Sequence, residues 1–359
     1  MRSALAGTLL CCLWSAAAAQ EQSVSFAEEP TSTTITGFAV ANAVWDRNTK
    51  ESTILAGKLA LSLFRPWSDY LYFFGQLTTH VGPDEATGEV HSEIEIDNLI
   101  ISWTVPGATA VNLSFGRFDA PIGFERDDEP LNLLPTPSFN FELARPSKLS
   151  GAIARWAALP TLGFTAFLAN GWNGEIDNNT GKTIGGRVQW LPHDGYAFAV
   201  NAVYGPEEEG TNDPKRTLLT GDVTLQPLRP LIVGLEVNHG RQPEAGESTT
   251  WTGAVGTAFW RFGRNLGVSL RGEVLDDPHG FTTGEQQTLT SLTVAPMYFY
   301  REAQEGIFST IEHTTFRLPA FWLRPAIRFD WSNIPFFEDE EGNLRTANVT
   351  GILELVYLF

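Results

Sequence analysis

Residues Ala110 to Pro146 read AVNLSFGRFDAPIGFERDDEPLNLLPTPSFNFELARP. Val111, Leu113 and Phe115 fall on alternate positions, the two-residue period of a half-buried strand. The alternation stops at Gly116. The following segment carries Asp127, Asp128 and Glu129, the prolines Pro130, Pro135, Pro137 and Pro146, and the aromatics Phe139 and Phe141. Proline removes a ladder donor, so this segment cannot continue as a central strand. A strand that delivers the chain into a long, acidic, proline-rich loop is the pattern expected of a loop that narrows the lumen of a barrel.

Outward from this stretch the chain repeats strand, turn, strand, with no convincing amphipathic helix. Charged residues are 18% of the chain, mean hydropathy is -0.10, and beyond the first twenty positions no apolar run is long enough for a membrane helix. Strands of about ten residues joined alternately by short and long connections indicate a transmembrane β-barrel. The expected traverses are 34–45, 53–64, 69–79, 93–105, 109–118, 148–158, 162–170, 183–191, 195–204, 216–226, 230–239, 249–262, 266–276, 286–299, 320–331 and 346–359, sixteen in all. Tight connections such as Arg65-Pro66-Trp67, Pro106-Gly107 and Gly263-Arg264-Asn265 would be periplasmic turns. Longer polar ones at 46–52, 80–92, 119–147, 171–182, 205–215, 240–248, 277–285 and 332–345 would be external loops. Residues 300–319 fit either a long periplasmic connection or an extension of the fourteenth strand.

The fold class expected is therefore all-β: a transmembrane antiparallel barrel of 16 strands over 33–359, with its third external loop, about 119–146, folded inward. Met1-Arg2, an apolar run from Ala4 to Trp14 and Ala17-x-Ala19 read as a secretory signal over 1–19, with 20–32 a short periplasmic segment. Cys11 and Cys12 fall within the part removed; a lipid-attachment role for Cys11 is the competing reading, opposed by the bulky Leu10 before it. The net charge of -18 repels nucleic acid, and no basic helix argues otherwise.

Strand parity sorts the wall residues. Phe321, Leu323, Ile327, Phe329 and Trp331 share one face of their traverse, with Arg324, Arg328 and Asp330 on the other. By the same rule Lys58, Arg187, Asp222, Glu236, Arg271 and Glu273 line the lumen. An inward loop would then bring Asp127, Asp128 and Glu129 against a basic wall of Arg187, Arg271, Arg324 and Arg328, a transverse field that favours polar solutes. The plainer alternative is that these arginines pair with Glu273 and Asp330 and stiffen the wall. Two arginines conflict with parity: Arg117 shares the face of Leu113 and Phe115, and Arg155 that of Leu149 and Ile153, so both would face lipid unless a bulge or a boundary position intervenes. The six histidines show no metal spacing, and no nucleophile motif is present. The chain ends Leu355-Val356-Tyr357-Leu358-Phe359, where Leu355, Tyr357 and the terminal Phe359 share a face; this matches the end signal read by the outer-membrane barrel assembly machinery.

The run Gly116-Arg117-Phe118-x-x-Pro121-x-Gly123-Phe124-Glu125 resembles a motif of the β-barrel porins of the OmpL-like type. The resemblance extends to Leu270-Arg271-Gly272-Glu273, to Arg324-Pro325-Ala326-Ile327-Arg328-Phe329-Asp330-Trp331-Ser332 and to the last strand. This chain has Ala326 where members often carry Glu. The resemblance implies a pore in the outer membrane; no cofactor is expected, and the histidine spacing offers no metal site. The expected function is passive diffusion of small hydrophilic solutes and ions, not catalysis, with outer-membrane lipid and lipopolysaccharide as surroundings and a homo-oligomer as one assembly. A structural or adhesive barrel whose acidic loops bind divalent cations or lipid is the alternative, and an outer-membrane lipid hydrolase a third.

Overall fold

The computed structural model of the protein describes residues 32–83, 90–107, 110–244, 247–302, 311 and 313–359. The expected signal peptide at 1–19 and nearly all of 20–32 lie outside the described residues. The barrel strands begin with β1 (Thr34–Asp46), β2 (Ser52–Pro66), β3 (Leu71–Pro83), β4 (Val90–Thr104), β5 (Val111–Asp119), β6 (Lys148–Leu159), β7 (Leu162–Ala169) and β8 (Thr183–His193). They continue with β9 (Tyr196–Pro206), β10 (Lys215–Leu228), β11 (Leu231–Glu244), β12 (Glu247–Phe262), β13 (Leu266–Asp277), β14 (Gln287–Glu302) and β15 (Pro319–Ser332). After a small external hairpin of β16 (Phe337–Glu338) and β17 (Leu344–Arg345), β18 (Ala347–Leu358) completes the wall.

Each barrel strand pairs antiparallel with its neighbours in the chain, and β1 closes on β18, with Phe38 opposite Leu358 and Trp45 opposite Gly351. The sixteen expected traverses thus appear in order, and closure leaves no unpaired edge in the bilayer. Gly37 and Phe359 exchange backbone hydrogen bonds, which sets both ends of the barrel chain on the tight-turn side. That side is periplasmic in barrels of this design.

Alternation explains the wall. On β13, Leu266 and Leu270 point outward and are exposed, whereas Ser269, Arg271 and Glu273 point inward and are buried. Exposed Trp67, Trp103, Trp156, Trp190, Trp260, Tyr298 and Tyr357 gather next to the tight turns as an aromatic girdle, with Trp156 stacked on Phe164 across β6–β7. A wall apolar outside and polar inside suits lipid on one face and water on the other.

Parity failed at β6. Leu149, Ile153 and Arg155 all face inward, so the expectation that Arg155 meets lipid is overturned. Leu149 and Ile153 are apolar because they belong to a core inside the barrel that includes Phe118 at the end of β5 and Ile122, Leu131 and Leu133 of the long loop. The residues used to mark the lipid face were packing against the loop instead. At Arg117, β5 keeps its register with β4 and β6, so no bulge turns the side chain, which reaches Glu175 of the next external loop at 3.6 Å.

The β14–β15 connection is in part an extension of β14, which runs to Glu302; residues 303–310 and 312 lie outside the described residues. The rest folds inward at the periplasmic end. Phe316 packs against Phe259 of β12 and Phe299 of β14 with ring centroids 5.0 and 5.8 Å away. The Thr315 amide donates to Gln226 Oε1 of β10 at 2.7 Å, and His313 Nε2 lies 2.7 Å from Gln189 Nε2 of β8. This connector therefore reaches from β15 most of the way to the opposite wall.

Gly116 has φ +138°, and a Cβ there would lie 1.8 Å from the Leu99 carbonyl oxygen. Gly116→Ala should therefore cost more than about 1–3 kcal/mol, the usual charge for a strained backbone alone. Urea unfolding followed by heat-modifiable gel mobility measures it; a variant as stable as the parent would contradict the reading.

Candidate functional site

After β5 the chain turns into the barrel. The irregular segment 120–147 contains a short 3-10 turn at Glu129–Leu131 and the helix α1 (Phe139–Leu143), capped by Ser138, whose side chain accepts from the Phe141 amide. Irregular backbone away from bulk water must find partners for its N–H and C=O groups. The wall side chains provide them.

The motif residues begin the docking. The Pro121 carbonyl accepts from Arg187 Nη1 at 3.4 Å, and the Phe124 amide donates to Glu236 Oε2 at 2.7 Å. Gly123 has φ +78°, and a Cβ on it would sit 2.3 Å from the same carboxylate, so only glycine lets the backbone approach Glu236. Glu125 accepts from Arg271 Nη1 at 2.8 Å and from the Ser138 amide at 3.0 Å, while Phe118 is fully buried.

Further along, Arg324 Nη1 donates to the Asn132 carbonyl at 2.6 Å. Arg271 donates to the Thr136 and Pro137 carbonyls, and Arg328 Nη1 to Pro137 at 2.7 Å. Asn140 reaches the Ala254 and Val274 carbonyls of β12 and β13, and Trp251 Nε1 donates to the Ala144 carbonyl at 2.9 Å. Arg145 Nε donates to Glu236 Oε1 at 2.8 Å, so one wall carboxylate holds both ends of the segment. Planar guanidinium groups suit this task because each can feed several carbonyls at once.

All nine expected wall residues face inward, but their partners differ from expectation. Asp127, Asp128 and Glu129 do not meet the arginines. They lie 3.8, 3.8 and 3.4 Å from Lys58 Nζ of β2, and Asp127 is also 3.3 Å from Lys148 Nζ of β6. Gln76 donates to Asp128 at 2.8 Å, and Asp97 and Asp119 complete the group around Lys148. The arginines are neutralised on the other side of the lumen: Arg187 by Asp222, Arg271 by Glu125 and Glu273, Arg324 by Glu354, and Arg328 by Asp330 and Glu273. Five carboxylates therefore surround two lysines on the β2–β6 side, while the arginine side is nearly balanced.

Lys148, Arg145, Asn140 and Glu354 were not singled out from sequence. Inward parity on β18 would have found Glu354; Lys148 opens β6 at a position opposite in parity to the inward Leu149, Ile153 and Arg155, so alternation on that strand does not give it, and Arg145 and Asn140 sit in irregular chain, where no periodicity gives direction.

Burial pushes the Asp128 carboxyl well above the ordinary carboxylate range, against the pull of Lys58. Burial also raises Glu142, opposed by Arg328 and Arg271. A carboxyl whose folded pKa exceeds its unfolded value binds its proton more tightly when folded, so its ionised form costs stability above that pKa, and the cost is relieved as pH falls through it. Asp128→Asn, which keeps an acceptor for Gln76, should therefore be at least as stable as the parent near pH 7 and should lose the gain on acidification that the parent shows; urea midpoints between about pH 7 and 5 test this. Glu236→Ala should strand Arg145 and the Phe124 amide, lose about 3–5 kcal/mol and open 120–147 to protease while the barrel still migrates as folded. An uncleaved variant would contradict the docking.

Comparison with known proteins agrees with this architecture. Residues 69–359 match the family described as "Putative beta-barrel porin-2, OmpL-like". No curated protein matches the sequence. Among solved structures, an anion-selective porin from Comamonas acidovorans superposes with a TM-score of 0.64 at 10% identity, over 92% of this chain and 100% of that one. OmpF of Salmonella typhi, in complex with daunomycin, gives 0.61 at 10% identity over 92% and 98% of the two chains. The outer membrane channel DcaP of Acinetobacter baumannii gives 0.61 at 9% identity over 92% and 97%. With a closed sixteen-strand barrel, a lipid-facing apolar exterior and a family match over most of its length, the chain belongs to the OmpL-like β-barrel porins of the outer membrane.

Proposed function

We propose that segment 120–147 is the constriction of a passive diffusion channel for small hydrophilic solutes and ions, and that the channel favours cations at this point. The observation that carries the reading is the docking itself: the segment hydrogen-bonds or ion-pairs to inward side chains or backbone of β2, β3, β6, β8, β11, β12, β13 and β15. A loop tied to eight of sixteen strands divides the lumen rather than lying against one side. The excess of carboxylate over lysine around Lys58 and Lys148 supplies the cation preference.

No chemical step is needed for such a role, and the reading is non-enzymatic. Residues 1–19 act as the export signal. Leu355, Tyr357 and Phe359 are exposed on the outer face of the last strand, with Tyr357 stacked on Phe359, where the assembly machinery would read them. Outer-membrane lipid and lipopolysaccharide contact the apolar exterior, and a homo-oligomer would form through that same face.

Planar-bilayer recording tests the proposal. The refolded protein should give discrete conductance steps, and Asp127→Asn with Glu129→Gln should lower the potassium-to-chloride permeability ratio while leaving the barrel folded. A folded sample without steps would contradict the channel, and an unchanged ratio would contradict the assignment of the carboxylate group.

The connector at the other mouth gives a separate expectation. Phe316→Ala, which removes the contacts with Phe259 and Phe299, should raise single-channel conductance if the connector narrows the periplasmic end. Equal conductance would place the connector beside the path.

A further inference from the structure

We infer that Arg155 forms a small-anion subsite in the channel wall, on the periplasmic side of the constriction. The inference rests on the channel reading above. Arg155 is only 7% exposed, yet it has no ion pair among the described residues, unlike Lys58, Lys148, Arg187, Arg271, Arg324 and Arg328. Its Nε meets no acceptor, and Nη1 has only the Ser114 hydroxyl at a long 3.4 Å. That hydroxyl is shared with Ser102 and Asn112 at 2.8 and 2.9 Å.

The contrast with Arg187 is local. Thr165 lies between them, paired with Arg155 on one side and with Arg187 on the other. Arg187 makes a two-pronged bond to Asp222 at 2.7 and 2.8 Å; Arg155 meets no carboxylate among the described residues. A guanidinium withdrawn from water without compensation costs several kcal/mol, so the chain retains one only where something else completes it.

Space for that partner is built in. Past Arg155 the small residues Ala157 and Gly163 leave a cavity of about 10 Å³ in the wall, lined on its polar side by Arg155, Thr165 and Gln189 and closed on the other by the stacked rings of Trp156 and Phe164. This is the scale of one water-sized particle. Gln189 is held in turn by His313 of the periplasmic connector. Guanidinium, hydroxyl and amide groups around a space of this size suit a halide, or a single oxygen of a carboxylate or phosphate on a passing solute. The carboxylate group near Lys58 and the cation at Arg155 then act as two stations of opposite sign, which lets anions pass a channel that otherwise favours cations.

The test uses the full chain refolded in detergent and in planar bilayers, as parent, Arg155→Gln and Arg155→Lys. In a potassium chloride gradient, Arg155→Gln should lower the chloride-to-potassium permeability ratio about three- to fivefold, the effect of one unit charge acting over roughly 5 Å in a water-like medium. Arg155→Lys should retain most of the parent ratio. Chloride-35 line broadening by the detergent-folded protein, which needs no conduction, should fall in Arg155→Gln and persist in Arg155→Lys. Equal broadening in parent and Arg155→Gln would overturn the subsite, whether or not the protein conducts. A parent that broadens the line but gives no steps would instead contradict the channel reading alone. If Arg155 were merely structural, Arg155→Gln would change the unfolding midpoint and leave permeability and line width as they were, which also overturns the inference.

Discussion

Twenty-eight residues of irregular backbone inside a barrel pose one physical problem: their amides and carbonyls must be bonded where bulk water is scarce. The rest of the lumen is arranged around its solution. Arg187, Arg271, Arg324 and Arg328 direct N–H groups at loop carbonyls, while Glu236 accepts from the Phe124 amide and from Arg145. Each of these wall charges also has a countercharge within the barrel, which limits the cost of withdrawing it from water. Removing one partner is therefore expected to cost more than its own bond, because the remaining charge stays buried.

This arrangement explains the spacing of the motif at 116–125. Gly116 lets β5 pass close under the Leu99 carbonyl while still paired in the wall; Phe118 anchors the end of that strand in the internal core; Gly123 brings the backbone against Glu236; and Glu125 meets Arg271. The motif is a docking sequence more than a lining sequence. It also places Asp127 to Glu129 against Lys58 and Lys148, so the charge asymmetry of the lumen follows from where the loop enters.

The barrel was almost fully legible from the chain, because lipid and water on opposite faces impose a strict two-residue period. β13 shows it along its whole length and β15 from Trp322 onward, and all sixteen traverses fall within a few residues of their expected bounds. The period failed where the inner face is not wet. Leu149 and Ile153 are apolar on the lumen side because the loop packs on them, and Arg155 was misassigned with them. Ion-pair partners were illegible for another reason: parity gives a direction, whereas pairing depends on where proline-rich chain without periodicity comes to rest. The expected pairing of loop acids with arginines was electrostatically sound, but the loop enters beside β2 and β6, where lysines stand.

Amide hydrogen exchange measures directly whether 120–147 is bonded to the wall in the folded protein. The Phe124 amide, bonded to Glu236, the Phe141 amide of α1, bonded to Ser138, and the Ala144 amide at its C-cap, bonded to Asn140, should exchange as slowly as amides of the neighbouring strands. Fast exchange throughout 120–147 in an otherwise protected barrel would mean that the loop is not docked, and would contradict the constriction drawn from it.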